Sequence, residues 1–225
     1  QQGLTQCGTP TGQPKFPIET YQELPDPSSP SDKDWAAVTN PQISWGTIDT
    51  RYAKHRLPQL KKQQLTTLKG WRGERVNAQA VVWTGTEVKD LNFSFTDFKD
   101  KKGNSLSDEA FKAGFIRYVM TDELNKDGRG ACGHRQAVDY DSLLVADPID
   151  TNLKSMSVPA RTVQPIWVQC WIPQSATPGT YQGELLINDG SRLLQRLNLE
   201  ITVSSRELPA PSEWADHLDL WQSPY

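Results

Sequence analysis

Thr177-Pro178-Gly179-Thr180-Tyr181-Gln182-Gly183-Glu184-Leu185 opens on a tight turn and runs straight into an alternating stretch. Pro178 fixes its own φ and Gly179 supplies the freedom that a tight turn needs, so the strand begins where the pair ends. Tyr181, Gly183, Leu185 and Ile187 then share one face, because successive side chains of a strand point to opposite sides. Asp189-Gly190 follows as a hairpin signal. The chain returns with the same period from Leu193, ending Leu197-Asn198-Leu199-Glu200-Ile201-Thr202-Val203. The passage predicts two C-terminal strands of a layered β protein.

The period of two recurs upstream. In Glu74 to Thr84, Val76, Ala78, Ala80 and Val82 alternate with Asn77, Gln79, Val81 and Trp83. Leu91, Phe93 and Phe95 alternate with Asn92, Ser94 and Thr96, and Phe115–Thr121, Ser142–Val145 and Gln164–Ile172 complete the series. Turn residues at 85–86, 102–104 and 127–128 punctuate these runs. The single helical candidate is Ser107 to Ala113, a turn or two behind a Ser cap. About eight strands with short turns and almost no helix predict an all-β, immunoglobulin-like or jelly-roll-type two-sheet β-sandwich.

Residues 1–41 carry Pro at 10, 14, 17, 25, 27, 30 and 41. Pro removes a donor and restricts φ, so this stretch reads as an extended, irregular arm laid on the body, with Trp35 as an anchor. The sandwich is expected over 42–205. Residues 206–225 read as a linker followed by a new apolar run, Leu218-Asp219-Leu220-Trp221, which would need a further domain to cover it. The chain is therefore expected to be the N-terminal portion of a longer protein.

The 225 residues carry a net charge of -3 from 24 basic and 27 acidic side chains, mixed along the sequence. No basic tract points to nucleic acid, and no apolar run approaches the ~18 residues of a membrane span. The start, Gln1-Gln2-Gly3, lacks Met and leads into a Pro/Thr/Ser-rich stretch, which fits an exported protein after signal removal better than a trimmed chain. Export to the periplasm or beyond is the expectation. Cys7, Cys132 and Cys170 are too few for a disulfide framework and too scattered for zinc. Cys7 is not the first residue, as a lipoprotein anchor would require. Cys170 reads as a buried thiol, while a Cys7–Cys132 bridge and two free thiols both stay open.

Candidate chemistry is sparse. Asp122-Glu123 and Asp139-Tyr140-Asp141 adjoin turn residues and read as solvated charges. Glu123-Leu124-Asn125-Lys126-Asp127-Gly128 echoes a calcium loop, but its first residue is Glu and its twelfth is His134. Cys132 with His134 lacks two further zinc ligands, and His55 and His217 stand alone. No catalytic residue, metal or cofactor is expected within the chain. The group that stands out is Trp71, Arg72, Glu74 and Arg75. On one strand it would set Arg72 and Glu74 on one side and Trp71 with Arg75 on the other. Three readings fit it: a local ion pair beside a core Trp, a contact with a neighbouring domain, or a sugar contact at a cleft rim. Of the eight tryptophans, Trp83, Trp167 and Trp171 lie in strand-like runs and are expected buried, whereas Trp35, Trp45, Trp71 and Trp214 are candidates for exposure.

Trp71-Arg72-Gly73-Glu74-Arg75-Val76-Asn77-Ala78-Gln79, Asp147-Pro148-Ile149-Asp150, Pro165-Ile166-Trp167-Val168 and the Pro-Gly turn at 178–183 carry a resemblance, together with Leu218-Asp219-Leu220-Trp221-Gln222. From Ile43 to Tyr225 the chain resembles the N-terminal β-sandwich domain of glycoside hydrolase family 123-like proteins. The resemblance implies a (β/α)8 barrel after the sandwich. That barrel would hydrolyse N-acetylgalactosaminides with help from the substrate's own acetamido group, using an Asp-Glu pair. Those residues would lie beyond Tyr225, so none is carried over. The implied role is an accessory domain that braces its own C-terminal catalytic barrel in an exported hydrolase of N-acetylhexosamine-containing glycans, with glycans as a further partner. The alternative is an independent carbohydrate-binding module, or a cell-surface sandwich without enzyme activity.

Overall fold

A computed structural model describes Glu23, residues 30–121 and 143–210, and Glu213. The chain divides into a unit Glu23–Leu208 and a second one of Gln1–Gln22 with Pro209–Tyr225; the fold is that of the first. Its described residues are 59% strand and 5% helix, which makes it all-β. In chain order the elements are helix α1 (Asp32–Trp35) and strands β1 (Gln42–Gly46), β2 (Leu65–Arg72), β3 (Arg75–Thr84), β4 (Val88–Phe95), β5 (Phe98–Lys99) and β6 (Ser105–Leu106). Then come β7 (Phe111–Thr121), β8 (Leu143–Asp150), β9 (Ser155–Val158), β10 (Thr162–Trp171), β11 (Gly179–Asp189) and β12 (Arg192–Glu207). One sheet has the order β1-β3-β10-β7-β8; the other runs β2-β12-β11-β4-β9, with β5 and β6 extending it beside β11. Two such sheets packed face to face are the expected β-sandwich.

The alternating runs supply the core. Val76, Ala78, Ala80 and Val82 of β3 and Ile166, Val168 and Cys170 of β10 face Tyr181, Leu185 and Ile187 of β11 and Leu197, Leu199, Ile201 and Val203 of β12. Asp189-Gly190 makes the expected turn, with Gly190 at φ 60°. Phenylalanines stitch the layers together: Phe98 stacks on Phe111 at 4.0 Å between ring centroids, and Phe93 meets Phe115 at 5.1 Å. Gly183 faces the same space. A Cβ there would stand 2.7 Å from the Phe98 ring, so the ring lies directly against backbone. Cys170 is buried, and burial pushes its thiol up to about 12.

The helical candidate at 107–113 shortens. Ser107 caps a 3-10 turn of three residues, Asp108–Ala110, and β7 begins at Phe111. Tertiary packing overrides the local cap here, since Phe111 is needed against Phe98. Trp35 and Trp45, expected as candidates for exposure, are only 3% and 2% exposed. The Trp45 indole donates to the Asn198 carbonyl at 2.9 Å inside the sandwich. Trp35 closes α1 and donates to the His55 carbonyl at 3.0 Å, packing with Tyr52, Val81, Trp83 and Val163 on the outer face of the five-stranded sheet. The segment between β1 and β2 lies over the same face: Gln79 is buried and donates to the carbonyls of Thr47 and Thr50.

A charged knot holds the neighbouring part of that face. Glu23 accepts from Lys54 at 2.7 Å, from Arg117 at 3.1 Å and from the Tyr118 amide at 3.4 Å. Arg117 also reaches Asp150 at 3.3 Å. Burial by itself would raise the Glu23 carboxyl, but Lys54 and Arg117 more than offset it and hold the group below its ordinary 4.5. A carboxyl depressed on folding stabilises fully above its unfolded value and loses that contribution as pH falls through the folded one. The urea midpoint is therefore expected to drop below about pH 4.5, and Glu23→Gln should flatten the drop while lowering the midpoint at pH 7. A second expectation concerns Gly183. Gly183→Ala should cost about 1–3 kcal/mol by overpacking against Phe98, read from the same unfolding curves; an unchanged midpoint would refute that close contact.

Candidate functional site

Trp71-Arg72-Gly73-Glu74-Arg75 is not one strand. β2 ends at Arg72 in the seven-stranded sheet, and β3 starts at Arg75 in the five-stranded sheet. The phrase is the corner at which the chain changes layers, so the two-sided alternation expected for it does not hold. Gly73 turns the corner at φ 86°, a left-handed conformation that a Cβ disfavours. Its N–H donates to the Ile172 carbonyl at 2.8 Å, and the Ile172 N–H returns a bond to Glu74 at 2.9 Å.

The four candidate side chains then separate by task. Glu74 is occupied locally, its carboxylate accepting from the Trp71 amide at 2.7 Å. Arg72 reaches across to the last strand: Nη2 lies 3.0 Å from Glu207 Oε2 and Nη1 donates to the Gln174 carbonyl at 3.1 Å. Its Nε is buried without a partner among the described residues. The Leu208 N–H donates to the Arg72 carbonyl at 2.8 Å, so backbone and side chain of one residue both grip the end of β12. Arg75 lies over the Trp171 ring, 4.4 Å from its centroid, and Arg206 lies over Trp71 at 5.5 Å. Trp71 is 38% and Trp171 54% exposed.

Trp171 was expected buried and is not, whereas Trp83 is. The alternation of β10 held the clue: Ile166, Val168 and Cys170 fill the core, so Trp167, Gln169 and Trp171 must face the other way. Arg206 and Glu207 were missed as partners because β12 outlasts the expected strand. His55 serves structure, with Nδ1 2.9 Å from the Arg161 carbonyl oxygen. Asp122-Glu123, Asp139 and Asp141, the Glu123–His134 loop with Cys132, and Cys7, Trp214, His217 and Leu218–Trp221 lie outside the described residues. Among the described residues no group of three or more His, Cys, Asp or Glu side chains could hold a metal ion, and no helix is long and apolar enough to cross a membrane.

Residues 45–189 match the family described as the glycoside hydrolase 123 N-terminal domain. The chain belongs to that family. A solved structure supports the fold of this glycoside hydrolase 123 N-terminal domain: a family 123 glycoside hydrolase from Clostridium perfringens, studied for glycolipid glycan hydrolysis, matches at 20% identity and a TM-score of 0.61. The match covers 77% of this chain and 29% of that enzyme, so the chain spans under a third of the enzyme's length. A PapD-like domain of human CEP192 matches at 11% identity over 84% of this chain and 98% of its own, with a TM-score of 0.37. That score is too low to carry an argument. No curated protein matches the sequence.

The corner of the glycoside hydrolase 123 N-terminal domain makes one prediction. Gly73→Ala should destabilise by about 1–2 kcal/mol, the cost of an L-residue in the left-handed region. A neighbour at 3.3 Å, the flexible Gln174 side chain, adds little to it. Gly73→Asn should cost less. Equal effects of Ala and Asn in urea titrations would remove backbone strain as the reason for Gly73.

Proposed function

We propose that this domain is a non-catalytic brace for the (β/α)8 catalytic barrel of an exported glycoside hydrolase acting on N-acetylhexosamine-containing glycans. The observation that carries the reading is the clamp of Arg72 on Glu207 and Leu208 at the end of β12. It fixes the direction in which the chain leaves the sandwich, and it stands beside the half-open Trp71 with Arg206 over its ring. An aromatic ring with an arginine against it suits a domain contact, since both residue types are enriched at interfaces. In this reading residues 206–225 lead from the sandwich into the barrel, and residues 1–41 form an extended N-terminal arm. Membership of a hydrolase family supports the parent activity.

The chain's own carboxylates argue against chemistry in this domain. Glycoside hydrolysis needs an acid and a second carboxylate, or an acetamido-orienting partner, around one sugar pocket. The sheltered pair Glu23 and Asp150 is instead neutralised by Lys54 and Arg117, and Glu74 is tied to backbone.

The test uses chromogenic N-acetylgalactosaminide and N-acetylglucosaminide. The 225-residue chain should turn over neither. A longer protein continuing past Tyr225 should hydrolyse at least one, and Trp71→Ala or Arg72→Ala in it should lower the melting temperature by several degrees, as loss of ~1 kcal/mol does in a domain-sized protein. Turnover by the short chain that a substitution within 1–225 abolishes would overturn the bracing role.

A further inference from the structure

The outer face of the five-stranded sheet is roofed at one end and bare at the other. On β3 the outward residues pass from Val81 and Gln79, buried, through half-buried Asn77 to exposed Arg75. On β10 they pass from Val163 and Pro165, buried, through half-buried Trp167 and Gln169 to Trp171, exposed. These are neighbours in the sheet, with Gln169 opposite Asn77 and Trp171 opposite Arg75. Six large apolar side chains are exposed among the described residues, and two of them, Ile149 and Trp171, stand at this bare end.

A hollow of about 200 Å³ lies there, lined by Trp167, Gln169, Lys112, Gly114, Ile149 and Thr151. Trp167 stands opposite Gly114 in the sheet, where the Asp150 backbone and Ile149 approach the glycine too closely for a side chain and form one wall of the hollow. Both tryptophans are held in place by their own N–H groups: Trp167 donates to Asn77 Oδ1 at 3.2 Å and Trp171 to the Gly73 carbonyl at 3.1 Å. The same Asn77 oxygen accepts from Gln169 Nε2 at 3.3 Å. Arg75 covers one face of the Trp171 ring, 4.4 Å from its centroid, so the exposed part of that residue offers solvent the opposite face, while Trp167 stands half-buried beside it. Asn77 Nδ2 and Gln169 Oε1 stay without a partner among the described residues. One free amide donor and one free amide acceptor thus sit between two fixed aromatic surfaces. Trp167 and Trp171 are four residues apart on one strand, a separation of about 13 Å.

We infer that this bare end of the sheet is a glycan-binding site for the pyranose rings of a neutral glycan chain. The apolar C–H face of a pyranose stacks on an indole, and its hydroxyls both donate and accept, as the two free amide atoms require. The spacing is longer than one pyranose ring and suits rings of an extended chain that are not adjacent, more than a single sugar. A protein partner fits less well, because amides interrupt the aromatics at every step where an interface core would be continuously apolar. Locked side chains lose little entropy when a ligand arrives. The bracing role rests on the Arg72 clamp to Glu207 and Leu208 with Trp71 beside it, residues that do not line this face, although Trp171 bonds the Gly73 carbonyl of the same corner.

The experiment is affinity electrophoresis of the 225-residue chain through gels containing hydroxyethyl cellulose, galactomannan or xyloglucan. It is paired with titration of chitotriose and of N-acetylgalactosamine followed by tryptophan fluorescence. At least one probe should retard or quench the native protein. Trp171→Ala and Gln169→Ala should weaken binding several-fold to about tenfold, the range expected for one lost stacking or amide contact. Trp171→Phe should retain part of it, and Trp71→Ala should leave it unchanged. Unfolding curves of each variant separate lost binding from lost fold, and a destabilised Trp171→Ala leaves Gln169→Ala and Trp171→Phe to decide. Binding to none of the probes overturns the inference. So does equal binding by Trp171→Ala and Gln169→Ala, or an equal loss in Trp71→Ala. A longer protein in which Trp171 becomes shielded from acrylamide, with no probe bound, overturns it in favour of domain docking at this face.

Discussion

The Phe98 ring occupies the space in which a side chain at position 183 of the same sheet would stand, and the two sheets meet where that ring stacks on Phe111. Phe98 belongs to a strand of two residues with little ladder to hold it, so its place depends on packing: Gly183 behind it and Phe111 stacked in front. Phe111 opens β7, and β7 in turn pairs β10 to β8. Aromatic rings that bridge layers bury large areas and prefer particular offsets, which makes this seam a reference for both sheets. The shortening of the 107–113 helix follows from it. A second helical turn would have carried Phe111 away from Phe98.

Much of the sandwich was legible because it follows a period of two. β3, β4, β10, β11 and β12 are each buried on one side by residues that the alternation had grouped, and the Asp189-Gly190 turn announced its hairpin. Elements whose partners decide them were not legible. β2 reads Leu65-Thr66-Thr67-Leu68-Lys69, a mixed run with little apolar commitment, and it becomes a strand by lying parallel to β12. β5, β6 and β9 are too short to show any period. The candidate site was half legible: Trp71, Arg72, Glu74 and Arg75 do share one place. However, the corner geometry and the partners Glu207, Arg206 and Trp171 lie about 100 to 135 residues away in sequence, beyond any local pattern.

The five-stranded sheet shows why tryptophans are poor guides to exposure. Trp35 and Trp83 are buried on its outer side because α1 and the segment between β1 and β2 cover that end. Trp171, on the same face of the same sheet, has no such cover. Strand pattern fixes which face a residue takes, while only the path of the loops decides whether that face meets water. The Glu23 knot belongs to the covered part, where charges come in a paired group and not singly, as partial burial demands.

The parallel pairing of β2 with β12 also bears on the order in which the protein can assemble. Leu65 finds its partner at Asn198 and Arg72 at Glu207, so β2 has no neighbour in its sheet until almost the whole domain has been synthesised. Contacts this distant delay closure, because the loop between them must be ordered before any of them forms. On the ribosome the five-stranded sheet can complete its strands as soon as β10 emerges, whereas the opposite layer waits with an unpaired edge. A chain cut short before β12 would carry that open edge permanently, and open strand edges are where misassembly with other chains begins.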